Sequence, residues 1–120
     1  MDIGSAIIGD VVILELALQA GQSDASGSRA FRETLVGRLG DLRKLLIDLS
    51  GVEYLNSRLL GILVSGVNAA IERGAEVRLI GMRPAIREVF RVTRLDRIYE
   101  IRDSREDALA SYSTDSGAAV

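Results

Sequence analysis

Apolar residues along the chain fall into short β-branched runs, separated by stretches in which they recur every three or four positions. Val11-Val12-Ile13-Leu14-Glu15-Leu16-Ala17 is a run of the first kind. The turn dipeptide Gly9-Asp10 precedes it, with a second apolar stretch, Ala6-Ile7-Ile8, before that, and this arrangement predicts a β-hairpin. The small polar segment from Gly21 to Ser28 reads as a connector. It leads into an amphipathic helix marked by Phe31, Leu35 and Leu39 at a spacing of four. Arg43-Lys44-Leu45-Leu46-Ile47-Asp48-Leu49 predicts a strand that Ser50-Gly51 ends. Leu59, Leu60, Leu63, Val64, Val67, Ala70 and Ile71 then follow the helical period, and Gly74 is placed to stop that helix. Val77-Arg78-Leu79-Ile80 gives a further strand. Pro84 opens a helix carrying Ile86, Val89 and Phe90, and Ile98-Tyr99-Glu100-Ile101 gives a last short strand. Ser104 with Asp107 marks a closing helix that carries Ala108, Leu109 and Tyr112.

The order is therefore β-β-α-β-α-β-α-β, followed by one more helix. A continuous apolar strand between two helical segments implies a buried parallel or mixed sheet. The expected fold is a small α/β domain with a mixed sheet of about four or five strands and about four helices. Residues 1–112 read as a single domain and 113–120 as a frayed C-terminal tail.

Composition removes function classes. With 120 residues the chain fits one compact domain. It has neither Cys nor His, which takes away thiolate and imidazole ligands for a metal, a Cys nucleophile and the base of a Ser triad. No pair of carboxylates declares itself as general acid and base, and the polar loop at Gly21–Ser28 lacks the Lys-Ser/Thr pair of a phosphate-cradling loop. The expectation is a non-enzymatic protein with no cofactor and no metal. Fifteen Lys and Arg against seventeen Asp and Glu give a net charge of −2, which withholds the general attraction that nucleic acid or an anionic membrane surface would require. The start of the chain lacks the pattern of a signal peptide and no apolar run is long enough to span a bilayer, so a cytoplasmic location is expected.

Candidate chemistry concentrates between the central strand and the long helix. Ser57 falls at or beside the N-cap of that helix, where a hydroxyl accepts a bond from an unpaired helix N–H. The same serine is also a candidate phosphorylation site. A phosphate there sits at the positive end of the helix, so the fold tolerates it while a docked partner need not. The two readings are compatible.

Asp48-Leu49-Ser50-Gly51-Val52, followed by Tyr54-Leu55-Asn56-Ser57-Arg58-Leu59-Leu60-Gly61-Ile62-Leu63, resembles the strand, loop and helix start of STAS-domain anti-sigma factor antagonists. Their loop typically reads Asp-Ser-Ser/Thr-Gly-Leu-Gly. The resemblance extends to Gly81-Met82-Arg83-Pro84-Ala85-Ile86-Arg87-Glu88-Val89-Phe90 and Leu95. It implies a phosphorylation-switched binding module: the unphosphorylated antagonist holds an ATP-binding serine kinase that is also the anti-sigma factor, and so releases sigma. The phosphorylated form lets go, and a serine phosphatase would reset it. Ser57 is the position that matches the phosphorylated serine. Asn56 stands for the family's Asp, Arg58 for its second Ser/Thr and Leu59 for its Gly. The departures favour, as the alternative, a STAS scaffold or accessory subunit that does not cycle, in a stress-signalling complex or a lipid transporter.

Two surfaces complete the reading. Opposite the apolar side of the long helix lie Ser57, Gly61, Ile62, Ser65, Asn68 and Ala69, a small and weakly polar face suited to close packing. Either a partner or a neighbouring element of the same domain covers it. Asn56, Arg58, Gly61, Ile62 and Ser65 are the candidate partner-binding residues. Arg83, Arg87, Arg91 and Arg94, spaced four, four and three apart, form a stripe on the following helix that is either a solvated face or a contact for an acidic partner. Aromatic residues are too scarce for base stacking, and nucleic acid is not an expected partner.

Overall fold

The computed structural model describes residues 2–18 and 28–112. The chain opens with the hairpin β1 (Asp2–Ile8) and β2 (Val11–Leu18), paired so that Ile8 faces Val11. Of the two turn residues only Gly9 adopts positive φ, at +61°. That is the type II′ connection, whose twist matches the flanking strands. There follow α1 (Ser28–Leu39), β3 (Lys44–Val52), α2 (Ser57–Glu72), β4 (Glu76–Ile80), α3 (Pro84–Val92), a 3-10 turn at Leu95–Arg97, β5 (Glu100–Ile101) and α4 (Arg105–Ala110). The five strands lie in the order β1-β2-β3-β4-β5, with β2 to β5 parallel and β1 antiparallel at one edge.

Both faces of the central strands are covered, which is why they read as unbroken apolar runs. On one face Val12, Leu14, Leu16, Leu45, Ile47, Leu49 and Leu79 meet α1, α2 and α3 through Phe31, Leu35, Leu63, Val67, Ile86 and Phe90. On the other face Val11, Ile13, Leu46 and Ile80 lie under Ala108 and Tyr112 at the C-terminal helix. Tyr112 donates its hydroxyl hydrogen to the Leu45 carbonyl, and the Arg78 guanidinium stacks 4.8 Å from the Tyr112 ring centre while its Nε donates to Ser111 Oγ at 2.7 Å.

Four expectations need correction. The central strand does not stop at Ser50-Gly51 but runs on to Val52. Between Glu15↔Asp48 and Ala17↔Gly51 one strand advances two residues and the other three, a bulge that carries β3 past the glycine. A Cβ on Gly51 would lie 2.7 Å from the Leu16 carbonyl oxygen, so glycine is there for close approach of two backbones. The last strand is two residues, not four: Tyr99 leaves the ladder, buries its ring and donates its hydroxyl hydrogen to Asn68 Oδ1 at 2.7 Å. Arg94 is not on the stripe of α3. It lies beyond the helix end with φ +64°, while Arg87 and Arg91 engage Asp103 and Glu88. The long helix is also turned relative to its predicted face: Ile62 and Gly66 are buried, whereas Ile71 is 44 % exposed. The predicted connector between Gly21 and Gly27 and the tail 113–120 lie outside the described residues.

Candidate functional site

The loop from Glu53 to Asn56 leaves the carboxyl end of β3, the end of a parallel sheet where α/β folds place their sites. Its entry is tied to the neighbouring strand by the Glu53 N–H, which donates to the Leu18 carbonyl at 2.8 Å. Tyr54 and Leu55 turn half-buried side chains onto the core and so anchor the loop from within.

Asn56, in extended conformation, caps α2. Its Oδ1 accepts the Leu59 N–H at 2.8 Å, and its carbonyl accepts the Leu60 N–H at 2.9 Å. The cap is thus Asn56, and Ser57 is the first helical residue, exposed and outside the capping bond. Leu59, where the resemblance leads one to expect glycine, sends its side chain into the core at 5 % exposure. Its bulk therefore faces away from the surface that Ser57 shares with exposed Arg58 and Gly61. The first turn of α2 holds no acidic residue, so the positive helix end is not neutralised from within that turn.

Of the candidate contact residues, the structure brings Asn56, Ser57, Arg58 and Gly61 together at the surface. A Cβ on Gly61 would meet nothing within 4 Å. Ser65 is half-buried at the edge of this face. Ile62 does not belong to it: at 4 % exposure it packs in the core. The reason is α1, whose Phe31 ring presses so closely on Gly66 that a Cβ there would lie 2.3 Å from Phe31 Cε2. A neighbouring helix of the same domain thus covers one flank of the predicted face. The open part keeps exposed Asn68, as expected, and takes in half-buried Leu60 and Val64, which the period assigns to the apolar side. The spacing 57, 61, 64, 68 carried that signal, since it traces one line along a helix.

The part of β3 that leads into the loop is held by polar contacts that the sequence did not announce. Asp48 Oδ1 accepts the Ser50 N–H at 2.9 Å, while Arg105 Nη2 from α4 lies 3.5 Å from Asp48 Oδ2 and 3.5 Å from Glu15 Oε2. Gly81 at φ +75° lets the segment after β4 pass this carboxylate, and Arg83 Nε donates to the Ser50 carbonyl at 3.1 Å. Further along α2, burial pushes the Tyr99 phenol above its ordinary pKa, keeping it the neutral donor that Asn68 receives. Among the described residues no group of three or more acidic side chains is placed to hold a metal ion, and no helix is long and apolar enough to cross a membrane.

Among the described residues, a five-stranded mixed sheet with three helices on one face, one on the other, and a capped serine-bearing helix at the carboxyl end of its central strand defines a small α/β domain. The chain belongs to the STAS domain family: the family model described as Mlab, STAS domain, matches residues 9–103. Its fold is similar to that of an anti-sigma factor antagonist (STAS) domain protein from Planctomyces limnophilus, 24% identical over 92% of this chain and 97% of that one, with a TM-score of 0.74. An anti-sigma factor antagonist from Mycobacterium paratuberculosis is also 24% identical, over 92% of each chain, with a TM-score of 0.70. The anti-sigma factor antagonist SpoIIAA in its unphosphorylated form is 14% identical, covers 99% of this chain and 98% of its own, and superposes with a TM-score of 0.67. At these identities the likeness establishes a shared fold.

Proposed function

We propose that this protein is an anti-sigma factor antagonist of the cytoplasm, a binding module without catalytic activity whose partner is an ATP-binding serine kinase that also serves as the anti-sigma factor. The observation that carries the reading is the position of Ser57. It is exposed at the first residue of a capped helix, outside the capping bond, with open space over Gly61 one turn further on. In the unphosphorylated state this small surface lets a partner approach the helix backbone closely. A phosphate on Ser57 adds about −1.5 to −2 charges and three acceptor oxygens at the positive helix end, so the domain keeps its fold while the docking surface changes sign and size. A serine phosphatase returns it to the binding form.

Affinity capture from the source cells with wild type, Ser57→Ala and Ser57→Asp as baits tests this. Recovery of an ATP-binding serine kinase with wild type and Ala but not with Asp supports the switch. The same partners on all three baits, with no kinase among them, overturns it. That outcome would favour a second reading, a STAS scaffold or accessory subunit that binds without cycling. Exposed Arg58 beside Ser57 supports this alternative, because it gives the helix start a fixed positive charge where the resemblance implies a small neutral residue.

A further inference from the structure

The outer edge of β1 is formed by an element separate from the α2 site. The two-residue turn at Gly9-Asp10 closes on a hydrogen-bonded pair, Ile8 with Val11, and bonded pairs alternate along an antiparallel ladder. Ile8, Ala6 and Gly4 therefore direct their backbone groups to β2, whereas Ile7, Ser5 and Ile3 direct theirs outward, where the sheet order places no strand among the described residues. Natural edges are commonly blunted by Lys, Pro, a bulge or a charge, yet from Ile3 to Ile8 this strand is Ile-Gly-Ser-Ala-Ile-Ile, with a regular register. Ile7 and Ile8 are 63 % and 47 % exposed on it.

We infer that this edge pairs with the same edge of a second copy, antiparallel about a two-fold axis at Ser5. Among the registers that match outward-facing groups to outward-facing groups, this one engages all three residues in each copy: Ser5 with Ser5, and Ile3 with Ile7 both ways. It forms six backbone hydrogen bonds across one continuous ten-stranded sheet. The side chains agree with the backbone. Ile3, Ser5 and Ile7 lie opposite Leu16, Leu14 and Val12, hence on the helix-covered side, so each exposed Ile7 lands beside the partly buried Ile3 of the second copy. An isologous contact of this kind closes on itself and leaves no free edge at β1. The one charged residue of β1, Asp2, falls opposite Ile8 of the second copy in this register, so no like charges meet along the ladder. Arg38 of α1, whose Nη1 donates to Ser5 Oγ at 2.6 Å, brings one positive charge from each copy beside the axis. The paired strands run roughly 20 Å, well short of an interface of standard area, so the dimer is weak; its population rises with concentration, and added salt, which screens the paired Arg38 charges, tightens it.

Sedimentation velocity on the full chain, free of any N-terminal tag, from about 10 µM to about 1 mM tests this. The expected result is a shift from monomer to dimer mass that salt promotes. Ile7→Lys and Ser5→Pro each raise the dissociation constant about tenfold or more. The proline removes an N–H that β2 does not use. Hydrogen exchange on the wild type supplies a readout that needs no variant: the amides of Ile3, Ser5 and Ile7 gain protection with concentration, and those of Ala6 and Ile8 do not change. Ser57→Asp leaves the dimer intact, which separates this surface from the α2 site. Monomer mass throughout, or a dimer indifferent to both β1 substitutions, overturns the inference and leaves the edge to a strand from a different protein.

Discussion

Leu59 donates its backbone N–H to Asn56 Oδ1 at 2.8 Å, and this bond sets where α2 begins and therefore where Ser57 stands. An asparagine cap is as effective as an aspartate one, so the replacement of the family's acidic residue leaves the helix start intact. Asn56→Ala is expected to destabilise the fold by about 1 kcal/mol in urea unfolding, with Asn56→Asp close to wild type. Equal stability of all three proteins would show that another group satisfies the Leu59 amide.

Two glycines on the same helix give opposite responses to the same substitution. At Gly61 a new methyl group meets nothing within 4 Å, so Gly61→Ala removes only the entropic penalty of glycine in a helix and stabilises by about 0.5–1 kcal/mol. At Gly66 the methyl would lie 2.3 Å from the Phe31 ring, and α1 must shift; the expected loss is about 1–3 kcal/mol. Thermal unfolding of the two variants, measured side by side, checks both signs.

That contrast also shows where the sequence was informative. Short-range signals placed the hairpin at Gly9-Asp10, the helix stop at Gly74, and the closing helix at Ser104, whose Oγ accepts the Asp107 N–H at 3.0 Å. Each depends on residues a few positions apart. The errors arose from contacts between distant segments. The period of α2 puts Ile62 on the open face, because it cannot by itself reveal that Phe31, 35 positions before Gly66, turns that flank inward. The bulge that extends β3 through Gly51 exists because of its neighbour β2, and Tyr99 leaves its strand to reach Asn68. At the candidate site the serine and its loop were legible. The supporting Asp48–Arg105 contact, which joins β3 to a helix 57 positions later, was not.

Phosphorylation of Ser57 should leave the fold standing. An acidic group at the first position of a helix whose first turn has none interacts favourably with the helix end, by about 0.3–1 kcal/mol at low salt. Ser57→Asp is therefore expected to unfold at an equal or slightly higher urea concentration than wild type, with the difference shrinking as salt is added. A marked loss of stability would mean that a negative charge acts on the domain itself, and loss of a partner would then no longer report on the docking surface alone.

The C-terminal helix layer is expected to make stability sensitive to alkaline pH. Burial pushes the Tyr112 phenol well above its ordinary pKa, an effect that nearby Glu76 reinforces and Arg78 opposes. Its hydroxyl donates to the Leu45 carbonyl, a bond that the ionised form cannot make. In the unfolded chain the same phenol ionises near its ordinary value of 10.0. The folded state therefore binds the proton more tightly, so the stabilisation is complete below pH 10 and declines as pH rises above it, where the unfolded state loses its proton first. Burial displaces Tyr99 in the same direction and adds to the decline. Tyr112→Phe should cost about 1 kcal/mol at neutral pH through the lost hydrogen bond, yet fall less steeply above pH 10, so the two stability curves converge. Parallel curves in urea titrations at neutral and alkaline pH would show that Tyr112 ionises equally in both states, and hence that the helix layer over Leu46 opens to water more readily than its packing implies.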